Sequence, residues 1–256
     1  MPFTLAHPAA ALPFRRWCPR YLDFSALVVG CLVPDLATSM TDYLEYFSHT
    51  ILGSFIFCLP VGLLTLWIFR QVRTPLISTL PNPHRDILLS IRTVAPNSLI
   101  QDIVSLLLGS WLHIAWDSFT HGHSWLVRHS VLSSVTVEGL PLNRLVWLLS
   151  SVIGVAIPLV MYLSLVRRRN PPTKSVSLSE WRAYAFWLGI LLLPFAGALP
   201  LTFHDPGYSH NRFVSFLAMY YLSCCYLTLA AAGFLINKYR RTAKAAPSER
   251  LTRQGL

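Results

Sequence analysis

Gly109-Ser-Trp-Leu-His113-Ile-Ala-Trp-Asp117-Ser-Phe-Thr-His121-Gly-His123 closes a long apolar run and carries three potential metal ligands at four-residue steps. At about 100° per residue, His113, Asp117 and His121 share one helical face, the arrangement by which a helix offers several ligands to one site. Residues 99–112 before them are long enough to set that face at a membrane boundary. A carboxylate and imidazoles at the end of a membrane-spanning helix are costly unless paired, solvated or metallated, so their default reading is functional.

The composition agrees with a membrane setting. Of the 256 residues, 54% are hydrophobic and only 12% charged, and the mean hydropathy is +0.49, too apolar for a domain with a solvated shell. The net charge of +10 sits in short Lys/Arg clusters beside apolar runs, which is how membrane proteins orient themselves and not the mark of a nucleic-acid surface. Cys18, Cys31, Cys58, Cys224 and Cys225 match neither a zinc knuckle nor a disulfide framework and read as small core residues.

Hydropathy predicts an all-α polytopic transmembrane bundle of five to six spans. Residues 51–69, 98–120, 145–166, 183–203 and 213–236 are the five, with Pro60, Gly62, Pro194 and Gly197 tolerable as kinks. The sixth, within residues 21–40, has an apolar core shorter than the ~20 residues a straight span needs. It is either a poor span or a re-entrant segment ending at Pro34-Asp35. Residues 1–20 suggest a short interfacial helix, residues 74–97 a Pro-rich connection with a short helix over 87–94, and residues 131–138 some strand-like alternation. Residues 1–237 form a single integral membrane domain, and residues 238–256 a basic tail.

Arg70, Arg73, Arg167, Arg168, Arg169, Lys238, Arg240 and Arg241 fall on one side of such a topology, against Arg128, Arg144 and Arg212 on the other. This asymmetry predicts a multi-pass protein of the cell membrane with its carboxy terminus in the cytoplasm. Asp35, His49, His113, Asp117, His121, His123, His129, His204, Asp205 and His210 then lie at or near the outer face.

A straight helix would hold His113 and His121 roughly 12 Å apart, too far for one ion. Either the chain bends near Gly122, or His121 and His123 serve a second ion at two-metal spacing. Ligands must also arrive from elsewhere, and Asp35 after Pro34 and His49 before the span 51–69 are the candidates. Oxygen and imidazole ligands without thiolate suit a divalent metal, zinc first, with manganese or iron as alternatives. The bland alternative is that His113 and Asp117 merely hydrogen-bond and rigidify the bundle. His123 and His129 read as ordinary loop residues, and Trp111, Trp116, Trp125 and Trp147 as interfacial anchors.

Met1-Pro-Phe-Thr-Leu-Ala-His7-Pro-Ala-Ala, Val33-Pro34-Asp35, Phe47-Ser-His49-Thr and the opening motif together resemble the bacterial membrane proteins grouped as domain of unknown function 4184, over nearly the whole chain. More distantly, an early His, a Pro-Asp, a His-Ser/Thr pair and a helical His-x-x-x-Asp resemble the predicted membrane-bound metal-dependent hydrolases. That resemblance implies His7, Asp35, His49, His113 and Asp117 as ligands. This sequence departs from that pattern in having Leu36-Ala37, not a second acidic residue, after Asp35. His7 also exposes a conflict, because Arg15, Arg16 and Arg20 favour a cytoplasmic amino terminus, across the membrane from the other ligands. If His7 is a ligand, the segment 21–33 is a hairpin or half-span.

The expectation is a metal-dependent hydrolase with a His/Asp site at the outer membrane face, acting on a lipid-linked or membrane-proximal substrate. Asp117 or His121 would be its general base. The rivals are a metal-ion or small-solute transporter using the same residues as a transit site, and a non-catalytic membrane scaffold.

Overall fold

The computed structural model describes residues 3–90, 98–122, 124–169, 178–205, 210 and 213–253. It is all-α and polytopic. Among the described residues, five helical stretches are long and apolar enough to cross a membrane: Ile51–Ile77, Leu99–Arg128, Leu142–Arg168, Glu180–His204 and Phe213–Thr242. Four contain the segments expected from hydropathy whole, and the second contains 98–120 except Ser98, which is the N-cap.

The chain divides into two compact units, Met1–Leu66 with Thr93–Arg168, and Trp67–Arg92 with Arg169–Leu256. The first unit opens with a 3-10 helix, Thr4–Ala11, which runs directly into α1, Leu12–Trp17, with Pro13 near its start. After a turn, Asp23 caps α2, Phe24–Leu36, accepting from the Ala26 amide at 2.7 Å. At 1.5 Å per residue the thirteen residues of α2 cover about 20 Å, well short of the ~30 Å hydrocarbon core. The segment within 21–40 is therefore a half-length helix. Ala11 and Phe14 pack against Leu27 and Phe24, and the Arg15 guanidinium lies 5.4 Å over the Phe24 ring. The 3-10 helix with α1 and then α2 thus form an antiparallel hairpin.

Residues Asp42–Ser48 form α3, and the span that follows is built of α4 (Ile51–Gly53), a π turn (Ser54–Cys58) and α5 (Leu59–Ile77). The Trp111 indole donates to Ser54 Oγ at 3.0 Å, at the start of that π turn. Leu99–Thr120 is α7, numbered after the short α6, His84–Ser90, of the second unit. A full capping box of Ser98 and Gln101 starts α7.

Helices α2 and α7 run parallel and are the most intimate pair of the unit. A Cβ on Gly30 would overlap the Leu106 carbonyl oxygen, and one on Gly109 the Leu27 carbonyl oxygen. Only two glycines let the backbones come this close. Pro34 lacks the N–H that would bond the Gly30 carbonyl within α2, and the Ser110 hydroxyl of α7, shared with the Leu106 carbonyl of its own helix at 3.0 Å, reaches that carbonyl at 3.3 Å. Leu106, Ala26, Val29, Val33, Cys58 and Leu66 are buried around the crossing.

After α7 come α8 (Trp125–Arg128), α9 (Val131–Ser134) and a minimal hairpin, Thr136–Val137 paired with Leu140–Pro141. The first half of the alternation over 131–138 is thus helical, because Ser130 caps α9 by accepting from the Leu132 amide. Only its last residues extend, leading into a turn in which Glu138 and Gly139 both have positive φ. Then α10, Leu142–Arg169, closes the first unit, its outer side chains exposed as those of a lipid-facing helix are. The second unit contains the end of α5, α6, α11 (Leu178–His204) and α12 (Phe213–Arg253). The connecting helix is α6, and the remaining residues of the expected 87–94 helix, from 91 onward, lie outside the described residues.

The crossing yields a direct test. Gly109→Ala should lower the thermal midpoint in detergent by an amount corresponding to about 1–3 kcal/mol of overpacking. Gly189→Ala in α11, where nothing lies within 4 Å of an added Cβ, should leave it unchanged or slightly higher. Equal midpoints for the two variants would show that the close approach carries no weight.

Candidate metal centre

The α2/α7 crossing brings Asp35, in the last turn of α2, level with His113 and Asp117. The chain returns through α3 to the same place, and His49 sits at the junction of α3 and α4. Thr50 caps α4, accepting from the Gly53 amide at 2.9 Å. Ser48 Oγ donates to the Pro34 carbonyl at 3.0 Å, pinning that junction to the end of α2.

Four side chains, Asp35, His49, His113 and Asp117, each offer a ligand atom, and these atoms lie within 4.8 Å of one another. His49 Nε2 and His113 Nε2 are 3.2 Å apart. His113 Nε2 lies 3.3 Å from Asp35 Oδ1 and 3.2 Å from Asp117 Oδ2. His49 Nε2 lies 3.7 Å from Asp35 Oδ1 and 3.4 Å from Asp117 Oδ2. Around a tetrahedral ion with bonds of about 2.0–2.1 Å, neighbouring ligand atoms are about 3.3–3.4 Å apart. The five separations scatter about that value.

Tautomers point the same way. His113 Nδ1 bonds to the Cys31 carbonyl at 2.8 Å and His49 Nδ1 to the Glu45 carbonyl at 2.7 Å. A carbonyl only accepts, so each Nδ1 carries a hydrogen, and in the neutral rings both Nε2 lone pairs face the centre. Both carboxylates are buried, and among the described residues all four of their oxygens lack a hydrogen-bond partner. Lone pairs and unpaired carboxylate oxygens facing one point in a low-dielectric interior are tolerated only around positive charge. A proton supplies some of that charge. Burial opposes a charged His49, but the Asp117 and Asp35 carboxylates outweigh it and lift its pKa to about 9. A divalent cation balances both carboxylates. The buried Asp/His cluster could therefore hold a metal ion.

His7, from the 3-10 helix, stacks on His113 with ring centroids 3.8 Å apart and places Nε2 3.5 Å from Asp117 Oδ1. Burial, then the His113 imidazole, pushes His7 down to about 4, so it adds no competing charge. Its 3-10 helix is anchored on α10, where a Cβ on Gly154 would clash with Ala6 and where Ser151 Oγ accepts from the Phe3 amide at 3.0 Å.

The structure departs from a straight helix through His121. Helix α7 ends at Thr120, and His121 is its extended C-cap, so the bend falls one residue before Gly122. His121 Nδ1 bonds to the Asp117 carbonyl at 3.0 Å and lies 3.8 Å from Asp117 Oδ2. It borders the four-residue group without belonging to it. The most exposed side chains of this neighbourhood are those of His49, at 19%, and His121, at 16%, so the centre opens between these two.

His129 is exposed and stacked on Trp125, and His204 is exposed with Nδ1 on the Pro200 carbonyl; neither joins the cluster. His123 lies outside the described residues. The Cys31 and Glu45 carbonyls and the Ser48 hydroxyl were not legible as parts of a site. Glu45 is four residues before His49, a helical step that could have pointed to its carbonyl.

Comparison with curated proteins and with solved structures yields no match. The four motifs that carry these side chains nevertheless find a common description, for a family model of a domain of unknown function, DUF4184, matches residues 1–234, and the chain belongs to that family.

Proposed function

We propose that the cluster is a zinc site, with manganese or iron as the alternative ions, and that the protein is a metal-dependent hydrolase of a lipid-linked or other membrane-proximal phosphoester. The observation that carries this reading is a pair of buried carboxylates, without hydrogen-bond partners among the described residues, each bringing one oxygen to within 4.8 Å of two imidazole nitrogens. Asp35, His49, His113 and Asp117 are the ligands, and His7 packs behind His113 as a further ligand or as its support. A bound divalent cation would polarise a phosphoryl oxygen and lower the pKa of an attacking water toward neutrality.

The chain's own groups supply the rest. His121 stands at the open side with Nδ1 held by a carbonyl, which makes Nε2 its basic nitrogen. It takes the proton from water as the P–O bond forms and returns it to the departing alcohol oxygen as the ester bond breaks. Asp117 serves twice, as ligand and as the group whose backbone orients His121. The charge asymmetry supports a location in the cell membrane with the tail beyond residue 237 in the cytoplasm, so that the centre faces the opposite side.

A transporter that uses the same residues as a transit site is the second reading, favoured by the half-length α2, a broken element beside a polar centre. Metal content is the first measurement. Native protein purified in detergent should hold about one divalent ion per chain, and His113→Ala/Asp117→Ala should hold none. A chelator should lower the thermal midpoint of the native protein and leave that of the double variant unmoved. If both proteins are equally metal-free and equally insensitive to chelator, the metal reading fails.

Hydrolysis is separable from binding. In mixed micelles containing phosphatidic acid, zinc-loaded native protein should release inorganic phosphate. His121→Ala should keep its metal and lose about 10²–10⁴-fold in rate, the usual contribution of a positioned acid–base. Zinc flux into liposomes without phosphate release would establish the transporter instead.

A further inference from the structure

The second unit carries a groove of about 580 Å³ lined by Trp67 and Gln71 of α5 and by Phe234, Asn237, Lys238, Arg241 and Thr242 of α12. The lining residues follow helical steps. Trp67 and Gln71 are four apart, and Phe234, Lys238 and Thr242 continue by fours with Asn237 and Arg241 beside them. One stripe of each helix therefore faces the groove. Its two ends differ in chemistry. Trp67 and Phe234 form an aromatic end, their ring centroids 5.9 Å apart and tilted by 38°. Lys238 and Arg241 form a cationic end, where the apolar run of α12 gives way to its basic tail.

Among the described residues no acidic side chain lines the groove and neither cation has an ion-pair partner. Two uncompensated cations one helical turn apart, above exposed aromatic surface at the end of a membrane span, match a ligand with an anionic head and an apolar body. Charge complementarity selects a lipid with a net negative headgroup over a zwitterionic one, whose own ammonium group the two cations would repel.

We propose that this groove binds one anionic glycerophospholipid. Its phosphodiester lies between Lys238 and Arg241, its glycerol ester oxygens near Gln71 and Asn237, and the start of an acyl chain along Trp67 and Phe234. Arg241 can hold two phosphate oxygens at once, whereas Lys238 acts as a point charge. The site is independent of the metal centre and stands or falls without it.

The test is lipid retention by native mass spectrometry on full-length protein in detergent, offered equal amounts of phosphatidylglycerol and phosphatidylcholine with the same acyl chains. Native protein should retain phosphatidylglycerol preferentially, and Lys238→Ala/Arg241→Ala should lose about thirtyfold in that preference. Lys238→Arg/Arg241→Lys should keep it, and Trp67→Ala should weaken retention of both lipids. Metal content and helicity of the alanine variant, read in parallel, should match the native protein. Undiminished preference in the alanine variant, or equal retention of the two lipids by native protein, would overturn the proposal.

Discussion

Contact between two peptide backbones, α2 against α7 at Gly30 and Gly109, is the constraint from which the candidate site follows. In a bilayer there is little hydrophobic drive to bring helices together, so association rests on close van der Waals packing and on hydrogen bonds that water cannot replace. Both are concentrated here. The absent side chains allow the approach, and the carbonyl that Pro34 leaves without an intrahelical donor is met by Ser110. One turn past Gly109, His113 meets the carbonyl of Cys31, the residue next to Gly30, and one turn past Cys31 the same proximity sets Asp35 against His113 and Asp117. A wider crossing would separate the two carboxylates and leave each in apolar surroundings with its charge unshared.

That arrangement is expensive by itself. An unsatisfied buried polar group costs about 1–3 kcal/mol, and an uncompensated charge more. Helix packing must hold the carboxylates where, left alone, they would turn toward water. Two neutral imidazoles and two carboxylates sum to a charge of minus two, which a divalent ion would cancel, as protons on both imidazoles would. His7, held neutral by burial, packs directly behind the cluster without adding to that charge.

Much of this was legible in the sequence. The five spans follow from apolar length, and the shortness of the apolar core within residues 21–40 left a poor span or a re-entrant segment as the alternatives there. His113 and Asp117 announce themselves by a four-residue step on an apolar helix, and Asp35 and His49 by standing where apolar runs begin or end. His7 came only through family resemblance, because nothing in its surroundings, an alanine-rich 3-10 helix, marks it as polar machinery. The crossing had a signature too, in Ala26 and Gly30 on one helix and Ser105 and Gly109 on the other, each a pair of small residues four apart. What hydropathy could not supply is the backbone's share. The π turn after His49, the two carbonyls that fix the tautomers and the C-cap bend at His121 arise from packing, and no residue type spells them out.

The half-length hairpin also removes a contradiction between charge and chemistry. Arg15, Arg16 and Arg20 favour a cytoplasmic segment by the positive-inside rule, while His7 lies with residues at the opposite end of α7, and a single crossing by residues 21–40 would satisfy one requirement at the expense of the other. In the fold the 3-10 helix passes the cluster at His7, continues into α1, and after a turn the chain comes back along α2. The arginines cluster at the turn, where Gln101 Nε2 donates to the Arg20 carbonyl at 2.8 Å. Gln101 lies twelve residues before His113, which places it about 18 Å away along α7. Neither limb is long enough to be recognised as a span, but the pair together reaches from the arginines to the Asp/His cluster and back. The arginines at one end and the His/Asp cluster at the other are therefore compatible, because residues 4–36 make a helical hairpin that brings His7 back to the end of α7 at which the cluster lies.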